Sequence, residues 1–136
     1  FDPRPGRSGS LAPGKARFSA LSPTIVFKGA DPSLVLGAPG ATYITMGNLQ
    51  VMLNVLDFGM NAQEAVIAPR FAATSNILEL SNRILRSTEK DLRDQGYPTH
   101  RHPVSYTFGW VHAIRIVDGK WDGGADPATD GMAMEV

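Results

Sequence analysis

The chain has 136 residues, 43% of them hydrophobic and 19% charged, a globular composition at a length that suits one small domain or a piece of a larger one. Thirteen basic residues balance thirteen acidic ones, which removes the electrostatic case for nucleic acid or an anionic membrane as a partner, and the apolar runs are too broken to span a bilayer. With no cysteine, disulfides, thiolate metal sites and a cysteine nucleophile are excluded, and the compartment, periplasmic or cytoplasmic, stays open.

Residues 1–17 open on Phe1 and are rich in Pro and Gly without apolar periodicity, so they are expected to form an extended arm or loop, with the natural N-terminus elsewhere. The β-branched run at residues 24–28 and the apolar run at 33–37 predict two strands joined as a hairpin through Gly29-Ala30-Asp31-Pro32. Residues 42–58 are apolar on most sides, with a narrow polar face at Gln50, Asn54 and Asp57, which predicts a covered helix with Gly59 as its C-terminal stop. Asn61 and Glu64 form a capping-box pair for a short second helix before Pro69, expected to stack on the first. Residues 77–80 predict a strand, and Ser87 or Thr88 predicts the cap of a polar helix that runs to Asp94 and stops at Gly96. Residues 107–117 alternate like one long strand, and Asp118-Gly119 predicts a type I′ turn into Lys120-Trp121, with residues 123–127 a loop. Without regular βαβ alternation, this order favours a layered α+β fold.

Gly37-Ala38-Pro39-Gly40-Ala41-Thr42 lies between a predicted strand and the start of the apolar helix. Such a junction aims backbone N–H groups and the positive helix end at one place, where they can hold an anion or a developing oxyanion, and it also serves as a ligand-free turn. No lysine follows the second glycine, so it is not a nucleotide-binding P-loop. Ser19 and Ser22 flank Ala20-Leu21 ahead of the first strand, where hydroxyls are ordinary turn formers. His100 and His102 would share one side of an extended segment, the least geometry for two metal ligands, but no third ligand pattern lies nearby and a solvated strand is the expected reading. His112 reads as a satisfied core histidine, and no Gly-x-Ser-x-Gly elbow supports a serine triad.

Taken together, Leu21-Ser22-Pro23-Thr24-Ile25-Val26, Gly37-Ala38-Pro39-Gly40-Ala41, Leu53-Asn54-Val55-Leu56-Asp57-Phe58-Gly59-Met60-Asn61, Glu64-Ala65 and Ala68-Pro69-Arg70-Phe71 resemble the small subunit of gamma-glutamyltransferases, in order and spacing. The closing Gly123-Gly124-Ala125-Asp126-Pro127-Ala128-Thr129-Asp130-Gly131 resembles that family's C-terminal signature, so the resemblance runs from about residue 18 to residue 136.

The resemblance implies part of the four-layer αββα sandwich of N-terminal nucleophile hydrolases, built from a self-cleaving precursor. The exposed threonine of that precursor attacks an amide carbonyl with its own amine as base. No threonine here falls in that cleavage context, so the chain alone is expected to lack the nucleophile and to be inactive. By the same resemblance, the backbone at Gly40 and Ala41 corresponds to the oxyanion hole, and Ser19 and Ala20 to the serine pair that binds the carboxylate of the glutamyl group. Ala20 lacks the second hydroxyl and Ala41 replaces a glycine, departures that suit a divergent member such as an acylase-like or oxamate-type amidohydrolase. The expected substrate is a small gamma-glutamyl or related amide, and the expected partner is the remainder of the precursor or a second copy. No metal or organic cofactor is implied. The competing expectation is a non-catalytic folded fragment.

Overall fold

The structure is a computed structural model that describes residues 2–17 and 19–134; the expected boundary residue Phe18 lies outside these, as do Phe1, Glu135 and Val136. Strand β1 (Thr24–Lys28) turns at Gly29, whose φ of 67° suits glycine, into β2 (Asp31–Gly37). This is the expected hairpin, with its second strand starting two residues early. A register shift at Val26 and Phe27 sets Pro32 opposite Phe27, and Pro32 is tolerated because β2 does not pair with its other neighbour until Leu34.

That neighbour is β6 (His112–Val117), which continues through Asp118 and Gly119, at φ 51° and 74°, into β7 (Lys120–Gly124). The turn agrees with the type I′ expectation, and the four strands form an antiparallel sheet in the order β1-β2-β6-β7. Two expectations fail here. The strand expected over 107–117 begins at His112, because Tyr106 and Gly109 take positive φ values of 58° and 61° and break the extended path. The loop expected at 123–127 gives up Gly123 and Gly124 to β7. A Cβ at Gly124 would fall 2.5 Å from the Ala62 carbonyl oxygen, so a helix seats directly on the strand there.

Two helices cover one face of this sheet. Helix α1 (Ile44–Leu56) follows a 3-10 turn at Ala41–Tyr43, and α2 (Ala62–Ile67) starts with the capping box, Asn61 Oδ1 accepting from the Glu64 N–H at 2.8 Å and Glu64 Oε2 from the Asn61 N–H at 3.0 Å. Gly59, at φ 67°, ends the preceding segment as expected. Leu34, Leu36 and Ala113 of the sheet meet Val51 and Val55 of α1 and Ala65 and Val66 of α2 in one core. The helices therefore stack.

The expectation that α1 is covered on most sides does not hold within this chain. Leu49, Leu53, Leu56 and the following Phe58 are exposed, while Gln50 and Asn54, expected on a polar face, are half-buried and bonded to main chain. Gln50 exchanges both amide hydrogen bonds with the backbone of Phe71, at 2.8 and 3.0 Å, and Asn54 Nδ2 donates to the Ala65 carbonyl. The opposite face of the sheet is also open: Ile25, Val35 and Ile114 form one cross-strand row and are all exposed.

Gln50 anchors a second sheet of β3 (Phe71–Ala72), β4 (Leu78–Leu80) and β5 (Thr99–Arg101), with β3 antiparallel and β5 parallel to β4. Helix α3 (Arg86–Asp94) begins after Leu85, so the expected caps Ser87 and Thr88 lie inside it, and it ends before Gly96 as anticipated. Glu89 of α3 accepts from Arg101 of β5 and Arg93, both at 2.7 Å. The Arg101 guanidinium, outweighing the burial that opposes it, holds the Glu89 carboxyl below its ordinary range. A carboxylate depressed in the folded state stabilises above its unfolded value, about pH 4.3, and that stability is lost as the pH falls through the lower folded value. Glu89→Gln should therefore flatten the acid limb of stability, read as urea midpoints between pH 7 and pH 3; an unchanged slope would remove Glu89 as its source.

Candidate functional site

The turn from β2 into α1 is shaped by backbone meeting backbone. Gly40 takes a φ of 141°, and a Cβ there would lie 2.8 Å from the Cα of Gly109. Gly109 in turn lies so close to Tyr43 that its own Cβ would sit 3.0 Å from the Tyr43 carbonyl oxygen. The Trp110 N–H donates to the Pro39 carbonyl at 3.1 Å and the Tyr43 N–H to the Gly40 carbonyl at 3.1 Å, which pin both sides of the turn. Ala41 is held at φ 51°, a left-handed conformation that costs an L-residue about 1–2 kcal/mol. Among the described residues, no side chain caps this 3-10 turn or the start of α1, no acidic residue sits in either first turn, and nothing accepts from the N–H of Gly40 or Ala41. The positive end of α1 is thus left to whatever approaches the turn.

The segment 19–22 rests on the first two turns of α1. Asn48, buried on that helix, donates through Nδ2 to the Ser22 carbonyl at 2.7 Å, and Thr45 Oγ1 lies 3.3 Å from Ser22 Oγ. Ser22 Oγ also donates to the Ala20 carbonyl, while Ser19 Oγ accepts from the Leu21 N–H. Gly40 and Ala41 therefore lie ahead of the first turn of α1, and Ser22 is tied to its side, with Ala20 joined to Ser22 and Ser19 to Leu21 by bonds within the segment. Ser19 is exposed.

Of the histidines, His112 pairs with Gly37 at the start of the turn, and His102 reaches Tyr43 only through Glu79 and Phe108. His102 Nε2 lies 3.4 Å from Glu79 Oε1 and its ring meets His100 edge-on, and among the described residues no group of three His, Asp or Glu converges as metal ligands. His112 Nε2 lies 3.2 Å from Thr129 Oγ1, and its ring fills the space a Cβ on Gly131 would need, so the closing segment packs onto it. A groove of about 490 Å³ is lined by Val26, Lys28, Val55, Arg115 and Val117 at the far end of the sheet from Gly40.

Arg70 and Asp126, which the sequence presents only as parts of motifs, form the buried support of the turn. Their side chains are 3% and 0% exposed and meet at 2.5 Å. Arg70 also donates to the carbonyls of Phe108 at 3.0 Å, Gly109 at 2.9 Å and Val66, and Asp126 Oδ1 accepts from the Ala128 N–H at 2.9 Å. Gly109, which presses on Gly40, is thereby fixed from behind. The sequence signal that identifies this pair is an arginine directly after Pro69 with an aspartate in a glycine-rich terminal motif, and neither spacing nor periodicity joins two residues so far apart.

The gamma-glutamyltranspeptidase family model matches residues 1–136, the whole chain. The chain belongs to that family. Among relatives, it is 36% identical over 137 residues to the acylase ACY 1 proenzyme of Pseudomonas sp. (strain V22), covering 100% of this chain and 24% of that protein. It is 30% identical over 139 residues to the glutathione hydrolase proenzyme of Bacillus subtilis (strain 168), covering 100% of this chain and 23% of that one. Its fold superposes on gamma-glutamyltranspeptidase from Pseudomonas nitroreducens complexed with L-DON with a TM-score of 0.81, at 28% identity over 96% of this chain and 69% of that chain. The chain thus spans about a quarter of the length of the curated relatives it matches. As a gamma-glutamyltranspeptidase-family chain it has the expected α+β class and contributes part of the N-terminal nucleophile hydrolase sandwich. Among the described residues no helix is long and apolar enough to cross a membrane.

Two outcomes are expected from this geometry. Ala41→Gly should relieve the left-handed strain and raise stability by about 1 kcal/mol, measured as a shift in denaturant midpoint. Asp126→Ala should lower stability by about 3–5 kcal/mol, because it leaves the Arg70 charge buried and unpaired; a loss below about 1 kcal/mol would mean water reaches Arg70.

Proposed function

We propose that this chain is the C-terminal part of the small subunit of a gamma-glutamyltransferase-type amide hydrolase and acyltransferase, in which the turn at Gly40 and Ala41 forms the oxyanion hole. The observation that carries this reading is a strained, externally braced turn at an uncapped helix start, whose N–H groups meet no acceptor among the described residues. Strain held in place from behind is a feature of sites that need a preset geometry.

The reaction follows from that role. A threonine at the start of the small subunit, supplied by the remainder of the precursor, loses its hydroxyl proton to its own amine as its Oγ bonds to the amide carbon. The carbonyl π electrons move to oxygen, and the N–H groups of Gly40 and Ala41 stabilise that charge without reorganising. Collapse re-forms the carbonyl and breaks the C–N bond, the leaving amine takes the proton, and an acyl ester remains on the threonine. Water then releases an acid, or an acceptor amine takes the acyl group. Segment 19–22 binds the acyl side chain through Ser19. With Ala20 beside it offering no hydroxyl, the substrate class is broader than gamma-glutamyl compounds and extends to other acyl amides.

The remainder of the same precursor is also the proposed cover for the row Ile25, Val35 and Ile114, since a sandwich with one sheet face bare leaves apolar surface that another layer buries.

The test is the processed full-length enzyme, with the new N-terminal threonine counted by sequencing, assayed on a gamma-glutamyl anilide and on an aliphatic acyl anilide. Turnover of at least one is expected, with Gly40→Ala lowering kcat about 10²–10³-fold at an unchanged threonine count. Processed enzyme that turns over neither would leave a folded, non-catalytic chain, and an unaffected Gly40→Ala variant would overturn the assignment of the turn.

A further inference from the structure

We propose that Glu79 is a positioning residue for the acyl-transfer site, acting through the phenol of Tyr43 to set the Gly40 and Ala41 turn; the inference rests on the oxyanion reading above.

Three separate elements converge on the Glu79 carboxylate in the middle of β4. The Tyr43 hydroxyl donates to both oxygens, at 3.1 and 3.2 Å, Thr74 Oγ1 donates at 3.1 Å, and His102 Nε2 stands at 3.4 Å. Tyr43 is held a second time through its ring, edge-on to Phe108 at 5.5 Å, and Phe108 is edge-on to His102 at 4.9 Å. The phenol can therefore neither swing nor slide without giving up a charge-assisted bond and an aromatic contact. Burial, reinforced by the Glu79 carboxylate, pushes the Tyr43 hydroxyl above its ordinary range and keeps its proton on as a donor.

Tyr43 is covalently two residues beyond Ala41, and its main chain faces both glycines of the site. Its N–H closes the turn on the Gly40 carbonyl, and its carbonyl packs against Gly109. A displacement of Tyr43 is thus passed to Gly40 by a hydrogen bond and to Gly109 by contact. Glu79 fixes the front of the turn as Arg70 fixes its back.

The experiment uses processed full-length enzyme, active sites counted by the burst of amine release, with Tyr43→Phe, Glu79→Ala, Glu79→Gln, the Tyr43→Phe/Glu79→Ala double variant and Gly40→Ala measured side by side. Each of Tyr43→Phe and Glu79→Ala should lower kcat about tenfold with KM within about twofold, since the loss falls on transition-state charge. Glu79→Gln, which keeps an oxygen acceptor, should retain most of kcat. The double variant should be no slower than the slower single one, because both remove the same link. Lowered melting midpoints with unchanged kcat per active site would make the contact a mere cross-link and overturn the inference, as would losses that multiply. If Gly40→Ala slows the enzyme while these variants do not, this inference fails alone; if Gly40→Ala is also without effect, the oxyanion reading fails with it.

Discussion

The buried pair of Arg70 and Asp126 is the contact on which the arrangement depends. Two charges with almost no exposure are tolerable only when each is paired and its remaining hydrogen-bonding capacity is used, and here the arginine fork is filled by Asp126 together with the carbonyls of Val66, Phe108 and Gly109. An apolar pair of equal volume would pack as well but would leave three buried carbonyls without donors. The pair therefore does more than stabilise, because it dictates where the 108–109 segment lies relative to the end of α2.

From that point the site follows by contact. Gly109 cannot move, so the glycine at position 40 must approach it without a side chain. With Gly40 pinned, Ala41 has to enter the left-handed region before α1 can begin. The energy of holding an alanine there comes from contacts remote from the turn: the Arg70 network behind it, and the Tyr43 to Glu79 bond in front. An oxyanion hole made of main-chain donors needs this kind of support, since a backbone amide has no rotamer of its own to adjust and is only as well aimed as the chain on either side of it.

Local chemistry was legible in the sequence where one short segment decides it. The capping box at Asn61 and Glu64, the stop at Gly59 and the Asp118-Gly119 turn are each settled by a few adjacent residues, and all three are present. The reading failed where distant contacts override a local pattern. Residues 107–111 alternate like a strand, yet the grip of Arg70 on Phe108 and Gly109 draws them out of the sheet. Gly123 and Gly124 suggest a loop, yet the missing side chain at Gly124 is what lets α2 lie on β7, and the one at Gly123 makes room for Ala133. The predicted site residues were found through resemblance and helix-start chemistry, whereas Gly109, Asn48 and Glu79 carry no signal that neighbours in sequence supply.

The flanks of α1 are the most telling of these departures. Its core face is apolar, with Ile44, Val51 and Val55 buried, but the half-buried Gln50 pairs with Phe71 as a neighbouring strand would, and the leucines of the helix are left facing outward. Exposed leucines at 49, 53 and 56 with Phe58 beside them, together with the bare row of Ile25, Val35 and Ile114, place apolar surface on both outer faces of a layer one sheet and one helix thick. Apolar surface on both faces is what the proposed remainder of the precursor would bury. The uncapped start of α1 fits the same proposal, in which protein completes the helix on its side and substrate completes it at its end.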